Sequence, residues 1–330
     1  MGDVMRWVIR IFLGLLLLIA IGLGAVWAFL SDPVIPQEVL LRKYGGGASK
    51  FLPLPDGAVA HYRDQGNAQG PALVLLHGNV ASLHTWEPWV QLLGDEYRII
   101  SVDLPAHGLT GPTPSGDYAT AGMTGFVDSF TREIGLTRFV LGGSSMGGGI
   151  ALTFARDHGA RLRGLILVDS AGIALPEMKP PPGLFILQTP VLRDIYRIFP
   201  RRPTFKAGLE MTYTDKSLVT PDLIDRYWEL NSGPGMRDAT IARFSAPWEQ
   251  LVAEAKAIEA SLPSLTTPTL ILWGADDKLV PVRAGEILRD KIKGARLIVY
   301  PAVGHVPQEE AAEASARDVR AFLQALPGDQ

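Results

Sequence analysis

Residues 139–152, FVLGGSSMGGGIAL, place a serine in a glycine-rich turn between an apolar run and the start of a helix. The turn reads Gly143-x-Ser145-x-Gly147, a pattern short enough to arise by chance, so the flanking residues decide its meaning. A strand-like run ends just before the turn, and a helical run opens just after it. Glycine is needed on both sides of the serine, because a Cβ atom there would collide with so sharp a turn. The pattern predicts a strand–turn–helix that presents the Ser145 hydroxyl at the carboxyl edge of a sheet.

A serine hydroxyl becomes a nucleophile when a base removes its proton and a carboxylate orients that base. In an elbow of this type the order along the chain is serine, acid, histidine. Two histidines follow Ser145. His158 falls in the helix after the elbow, about three turns from the serine. His305 follows the last predicted strand, in a loop, and is therefore the predicted base.

Three aspartates compete for the position of the acid. The strand-like run LILWG leads into a loop that contains Asp276 and Asp277, and Asp169 ends the preceding strand-like run. All three are expected at the carboxyl edge of the sheet, so position alone leaves the choice open.

The oxyanion of an acyl-transfer intermediate needs two backbone N–H donors. Met146 follows the nucleophile at a helix N-terminus, where the helix amides favour negative charge. The loop His77-Gly78-Asn79 follows an early strand and predicts the second donor at the Asn79 N–H. His77 is then expected to brace this loop and not to act as a second base.

Outward from the elbow, short apolar runs alternate with helical stretches, which predicts an α/β fold with a mostly parallel central sheet flanked by helices. The alternation stops between residues 171 and 262, where the sequence is helical in character, broken by prolines and rich in aromatic residues. This stretch predicts a helical cap inserted between two sheet strands, with the aromatic residues forming mainly its own small core. The predicted strands are Ala58–Arg63, Ala72–Leu76, Arg98–Val102, Arg138–Leu141, Leu165–Val168, Thr269–Leu272 and Arg296–Val299.

Residues 11–30, IFLGLLLLIAIGLGAVWAFL, contain no charged side chain. As a helix they would span about 30 Å, the thickness of the hydrocarbon core of a bilayer. A cleaved signal peptide has a shorter apolar core that ends in small residues, whereas this run ends in bulky ones. The segment predicts an uncleaved, single-pass membrane anchor.

Charged and small residues around the anchor suggest its topology. Arg6 and Arg10 precede the apolar run, which favours a cytoplasmic N-terminus and a catalytic domain on the opposite side of the membrane. Ala20, Gly24 and Ala28 form a small-xxx-small stripe that would permit a homodimer through this helix.

The overall composition excludes several kinds of site. A net charge of −3 offers no basic face for nucleic acid, and the absence of cysteine removes disulfides and thiolate ligands. The sequence shows no cluster of metal ligands and no phosphate-binding glycine loop, so we expect no metal and no cofactor.

These motifs resemble those of the α/β-hydrolase superfamily, in its serine esterase and lipase branch, over roughly residues 51–326. HGNVASLHTW is similar to the oxyanion loop of that family, DLPAHGLT to its D-x-P-G-H-G-x-S loop, and GSSMGGG to its nucleophile elbow. WGADDKLVP resembles W-G-x-x-D-x-x-x-P, a register that selects Asp277 over Asp276 as the acid. The glycine–histidine pair that ends at His305 matches the base.

The apolar run, the proline- and glycine-rich stretch after it, and the interruption of the strand–helix alternation predict, with the resemblance, a domain organisation. An anchor at 1–30 and a juxtamembrane linker at 31–50 precede a hydrolase core made of 51–170 and 263–330. The cap, at 171–262, interrupts that core.

The resemblance also implies a serine hydrolase that cleaves carboxylic esters through an acyl-enzyme. With the predicted anchor, the expected protein is a membrane-anchored enzyme with the bilayer as its partner, and the anchor and the apolar cap favour lipidic esters. Two alternatives keep the same triad: a carbon–carbon bond hydrolase of vinylogous diketones, and a thioesterase. A third is a non-catalytic membrane scaffold on a hydrolase fold.

Overall fold

The structure is a computed structural model that describes residues 2–30, 32–176, 178–180, 182–198 and 202–327. The first residue of the expected anchor, Met1, and the first of the expected linker, Ser31, lie outside the described residues. The strands are β1 Ser49–Pro53, β2 Val59–Gly66, β3 Ala72–Leu76, β4 Arg98–Val102, β5 Phe139–Ser144, β6 Leu162–Val168, β7 Thr269–Gly274 and β8 Arg296–Tyr300. The helices are α1 Gly2–Leu30, α2 Gln37–Tyr44, α3 Glu87–Leu93, α4 Thr120–Glu133, α5 Met146–His158, α6 Pro182–Gln188, α7 Pro190–Ile198, α8 Arg202–Thr212, α9 Pro221–Leu230, α10 Met236–Arg243, α11 Trp248–Ser261, α12 Val282–Lys291, α13 Pro307–Glu310 and α14 Ala312–Ala325.

The strands form one sheet in the order β1-β2-β4-β3-β5-β6-β7-β8. Strands β3 to β8 pair in parallel, and β1 and β2 add an antiparallel edge. Helices α4, α5 and α12 pack on one face of the sheet, and α3 and α14 pack on the other. Because both faces are covered, the central strands consist mostly of apolar residues, as the sequence pattern predicts. The predicted α/β class with a mostly parallel sheet is confirmed.

The N-terminal edge of the sheet differs from the expectation. Strand β1 crosses the expected boundary between the linker and the core. It was not predicted, because SKFLP is short, mixed in polarity and mostly exposed, and so lacks the apolar run of a buried strand. The expected linker also contains helix α2, whose Leu40 and Tyr44 pack against Leu109 and Leu230. The segment that follows α1 is therefore docked on the body of the protein.

Helix α1 is long and apolar enough to cross a membrane over Val4–Ala25, and none of that window is buried. A signal sequence near an N-terminus meets the same criterion. The side chain of Ala28, in the expected small-residue stripe, lies outside the described residues.

Helices α6 to α11 form an insert between β6 and β7, where the cap was expected. The insert contacts the loops at the carboxyl edge of the sheet. Asn231 Nδ2 donates to the Val80 carbonyl at 2.8 Å, and the His305 N–H donates to the Thr212 carbonyl at 2.8 Å. The insert therefore lies against the edge at which the candidate catalytic residues were expected.

Candidate active site

Ser145 occupies a strained turn between β5 and α5, with φ +53° and ψ −117°. A Cβ atom on Gly143 would lie 2.2 Å from the Gly147 carbonyl oxygen. One on Gly147 would lie 2.4 Å from the Leu76 carbonyl oxygen. Both distances are far below any van der Waals contact, so the two glycines are what allows the turn to form.

His305 and Asp277 meet at the carboxyl edge of the sheet. His305 Nδ1 lies 2.7 Å from Asp277 Oδ2, and the Asp277 side chain is fully buried. The other carboxylate oxygen accepts hydrogen bonds from the backbone N–H groups of Leu279 and Val280. Burial alone would raise the pKa of Asp277, but the hydrogen bond and charge of His305 outweigh it and lower that pKa. An ionised Asp277 is the group that orients an imidazole with Nδ1–H toward it and Nε2 free.

The two remaining candidate acids lie in contrasting environments. Asp276 is exposed. Asp169 is fully buried, and it brings a carboxylate oxygen within 4.8 Å of ligand atoms of Asp277 and His305. The ligand atoms of these three side chains have the spacing of a metal site, but His305 Nδ1 and Asp277 Oδ2 are bonded to each other.

The predicted oxyanion loop lies beside Ser145. A Cβ atom on Gly78 would be 3.2 Å from Ser145 Cβ, so Asn79 directly follows a residue that lies close to Ser145. His77 donates from Nδ1 to the Gly78 carbonyl at 2.7 Å and accepts at Nε2 from the Leu104 N–H at 3.0 Å. Burial lowers the pKa of His77, so the ring is neutral and braces the loop.

The roles of Ser145, His305, Asp277, Asn79 and Met146 remain predictions. The structure places Met146 as the first residue of α5, directly after Ser145. The elbow, the acid–base pair and the oxyanion loop come from separate parts of the sequence and converge on one edge of the sheet.

One charged group near the site was not identified from the sequence. Arg243, at the end of α10, donates to the Ala106 carbonyl at 3.2 Å and contacts His107 Nε2. Its Nε and Nη2 atoms are buried without a hydrogen-bond partner. Among the described residues, the groups that stabilise its charge are Tyr196 and Tyr118, and neither is a carboxylate. Burial lowers the pKa of Arg243 to about 10, so it is still a cation at neutral pH. The only signal in the sequence is an arginine in the insert, which does not distinguish it from the neighbouring surface arginines.

Glu310 is a second group that the sequence analysis did not identify. Its carboxylate accepts from the Gly304 N–H at 2.6 Å and from the Thr214 N–H at 2.6 Å. It therefore ties the loop that carries His305 to the insert. An acidic residue five positions after the predicted base was the only available hint.

Comparisons with known proteins agree on the fold. The profile of the family described as alpha/beta hydrolase fold matches residues 71–312, more than half of the chain. The chain is 23% identical to the meta-cleavage product hydrolase CumD of Pseudomonas fluorescens IP01, with a TM-score of 0.73 over 83% of this chain and 97% of that one. It is 25% identical to a structure titled as a bacterial membrane phospholipase A, with a TM-score of 0.67 over 96% of this chain and 98% of that one.

The names of the curated relatives indicate hydrolysis of a carbon–carbon bond, whereas an ester bond was expected. The chain is 27% identical to 2-hydroxymuconate semialdehyde hydrolase of Pseudomonas putida, over 68% of this chain and 76% of the relative. It is 26% identical to 2-hydroxy-6-oxo-6-phenylhexa-2,4-dienoate hydrolase of Burkholderia cepacia, over 83% of this chain and 96% of the relative. These names contradict the expectation of a lipidic ester hydrolase and agree with the carbon–carbon alternative. The family match over residues 71–312 shows that the chain belongs to the α/β-hydrolase fold family.

Proposed function

We propose that this protein hydrolyses a carbon–carbon bond in a vinylogous diketone that carries a carboxylate. The observation that supports this most strongly is the set of curated relatives named as hydrolases of 2-hydroxy-6-oxo-dienoates and related semialdehydes. The serine-based site is compatible with that reaction, because a ketone carbonyl is attacked in the same way as an ester carbonyl.

In this proposal Ser145 attacks the ketone carbon while His305 takes the serine proton, and Asp277 orients the resulting imidazolium. The Asn79 and Met146 N–H groups stabilise the oxyanion. This attack requires the 2,6-dioxo tautomer of the 2-hydroxydienoate, formed when the proton of the 2-hydroxyl group moves to C5. When the tetrahedral intermediate collapses, the bond between C5 and C6 breaks and its electron pair leaves as a dienolate delocalised onto the C2 oxygen. That oxygen takes the proton from His305, which gives the 2-hydroxydienoate product. Water then hydrolyses the acyl-enzyme, with His305 acting as base.

A carboxylate-bearing substrate would provide the counter-charge that Arg243 lacks. The Arg243 guanidinium contacts the His107 ring. The centroid of that ring lies 4.9 Å from the ring centroid of His77 in the predicted oxyanion loop. A buried cation without an acidic partner is costly, and an anionic ligand relieves that cost. We therefore assign Arg243 to recognition of the substrate carboxylate.

We also propose that α1 anchors the enzyme in a membrane, with the N-terminus cytoplasmic and the catalytic domain on the opposite side. The exposed apolar window Val4–Ala25 supports the anchor, and Arg6 and Arg10 support the orientation. Further support comes from the structure titled as a membrane phospholipase A, because a match over 96% of this chain must include part of α1.

Product analysis with 2-hydroxy-6-oxo-6-phenylhexa-2,4-dienoate tests the proposed reaction. The enzyme should add one water and release benzoate and 2-hydroxypenta-2,4-dienoate in equal amounts, whereas Ser145→Ala, correctly folded, should release neither. Thiobenzoate esters and benzoate esters serve as competing substrates. Intact dienoate after prolonged incubation with an enzyme that reacts with a fluorophosphonate would refute the proposed bond but leave the serine site standing.

A further inference from the structure

Asp169 is held in an unusual position next to the candidate acid. It follows the last residue of β6 with φ +43°, in the left-handed region, and it is fully buried. Its N–H donates to the Leu272 carbonyl at 3.0 Å, and its Oδ1 accepts from the Gly274 N–H at 3.0 Å. Both bonds attach it to β7, the strand that leads to Asp277. A residue other than glycine in this region is strained, and it persists only where the surrounding contacts enforce it.

The charged neighbours of Asp169 come from three segments. Asp277 follows β7, His305 follows β8, and Glu310 lies on α13. Burial, followed by the nearby charge of Asp277, raises the pKa of Asp169 well above its usual value. Two ionised carboxylates so close together in a buried site would repel strongly, and only Asp277 has His305 to compensate its charge.

The second oxygen of Asp169 lacks a hydrogen-bond partner in a site that holds another carboxylate. Oδ2 is buried and unpartnered, and the ligand atoms of Asp169, Asp277 and His305 lie within 4.8 Å of one another. A hydrogen bond between the two carboxyl groups also contributes to the raised pKa of Asp169, as a proton held by Asp169 and shared with Asp277 would require.

We propose that Asp169 is a neutral carboxylic acid that donates a hydrogen bond to the Asp277 carboxylate and acts as a positioning residue for the acid of the triad. The pair then carries one proton and one negative charge. The inference rests on the proposed roles of Ser145, His305 and Asp277, but not on which bond the enzyme cleaves.

The rate at which Ser145 reacts with a fluorophosphonate provides a test that is independent of substrate. Asp169→Asn retains an N–H donor toward Asp277, whereas Asp169→Ala removes it. Labelling of Asp169→Ala should be at least about tenfold slower than that of Asp169→Asn, because a hydrogen bond to a charged group is lost. Equal labelling rates in the two folded variants would overturn the inference. If the wild-type enzyme is labelled at Ser145 but does not cleave the dienoate, the proposed reaction is contradicted and the inference about Asp169 is not.

Infrared spectroscopy of Asp169→Asn keeps the inference testable if Asp169→Ala does not fold. At pH 7 the wild-type protein should show a carboxylic acid C=O stretching band that is absent from Asp169→Asn. If the difference spectrum shows a lost carboxylate band instead, Asp169 is ionised and the inference is wrong.

Thermal stability gives a second readout with a definite sign. The native-state pKa of Asp169 is raised, so the unfolded chain loses this proton above about pH 4 while the native protein keeps it. Asp169 therefore lowers the free energy of unfolding of the wild type as pH rises from about 4 toward neutrality. Asp169→Asn has no titrating group at this position, so its free energy of unfolding does not fall for this reason. The Tm of Asp169→Asn relative to wild type should rise across that range. A relative Tm that stays constant or falls would overturn the inference.

Discussion

Asp276 and Asp277 are adjacent in sequence, yet only Asp277 contacts His305. Asp277→Asn should lower kcat about 10³- to 10⁴-fold, because an amide no longer holds the imidazole in the required tautomer. Asp276→Asn is the matched control and should stay within about twofold of wild type, since its side chain is exposed. Steady-state kinetics on folded variants check both values. Loss of catalytic activity in a folded Asp276→Asn variant would show that the acid has been assigned to the wrong residue.

Arg243 allows substrate charge to be tested at a single residue. Arg243→Gln should lower kcat/KM for a dienoate about 10- to 100-fold, because a charge-assisted bond to the carboxylate is lost. Labelling by an uncharged fluorophosphonate should fall far less. Arg237→Gln, on the same helix, is the control, since Arg237 donates to the Arg197 and Pro33 carbonyls. Equal losses in dienoate cleavage and phosphonate labelling would indicate a structural role for Arg243.

At the scale of secondary structure elements, the turn between β5 and α5 depends on glycine at position 147. Gly147→Ala should destabilise the protein by about 1–3 kcal/mol or more, because its Cβ would overlap the Leu76 carbonyl. Gly125→Ala is the control. That glycine lies on the exposed side of α4 with no atom near its Cβ position, so alanine should stabilise the helix by about 1 kcal/mol. Urea unfolding measures both, and a tolerated Gly147→Ala would contradict the described turn.

The elements that the sequence predicted are those with a strong local pattern. Strands β3 and β4 have the predicted bounds, and β5 to β8 differ by a few residues at their ends, because buried parallel strands are continuous apolar runs. Strand β1 and helix α2 were not predicted, since their stability comes from contacts with distant segments. The Asp277–His305 pairing followed from a motif register. The closeness of Asp169 to Asp277 and the lack of a carboxylate beside Arg243 depend on how separate segments pack. No local sequence pattern reveals such packing.

For the whole molecule, the anchor and the catalytic body should be separable. Deletion of residues 1–30 leaves α2 and the body intact, so the truncated protein should be soluble and keep its kcat/KM on a soluble dienoate. The full-length protein should remain with the membrane fraction after carbonate extraction.

Mass spectrometry of the purified full-length protein should show an uncleaved α1. Removal of α1 in the mature protein would identify it as a signal peptide.

A comparison of two substrates that share one acyl group tests the proposed carbon–carbon bond cleavage most directly. The phenyl dienoate and a benzoate ester both deliver a benzoyl group to Ser145, and they differ in whether the bond that breaks ends in carbon or oxygen. We predict a higher kcat/KM for the dienoate in the full-length, membrane-reconstituted enzyme, with both activities lost in Ser145→Ala. A higher kcat/KM for the ester, with the dienoate left intact, would contradict the proposed function.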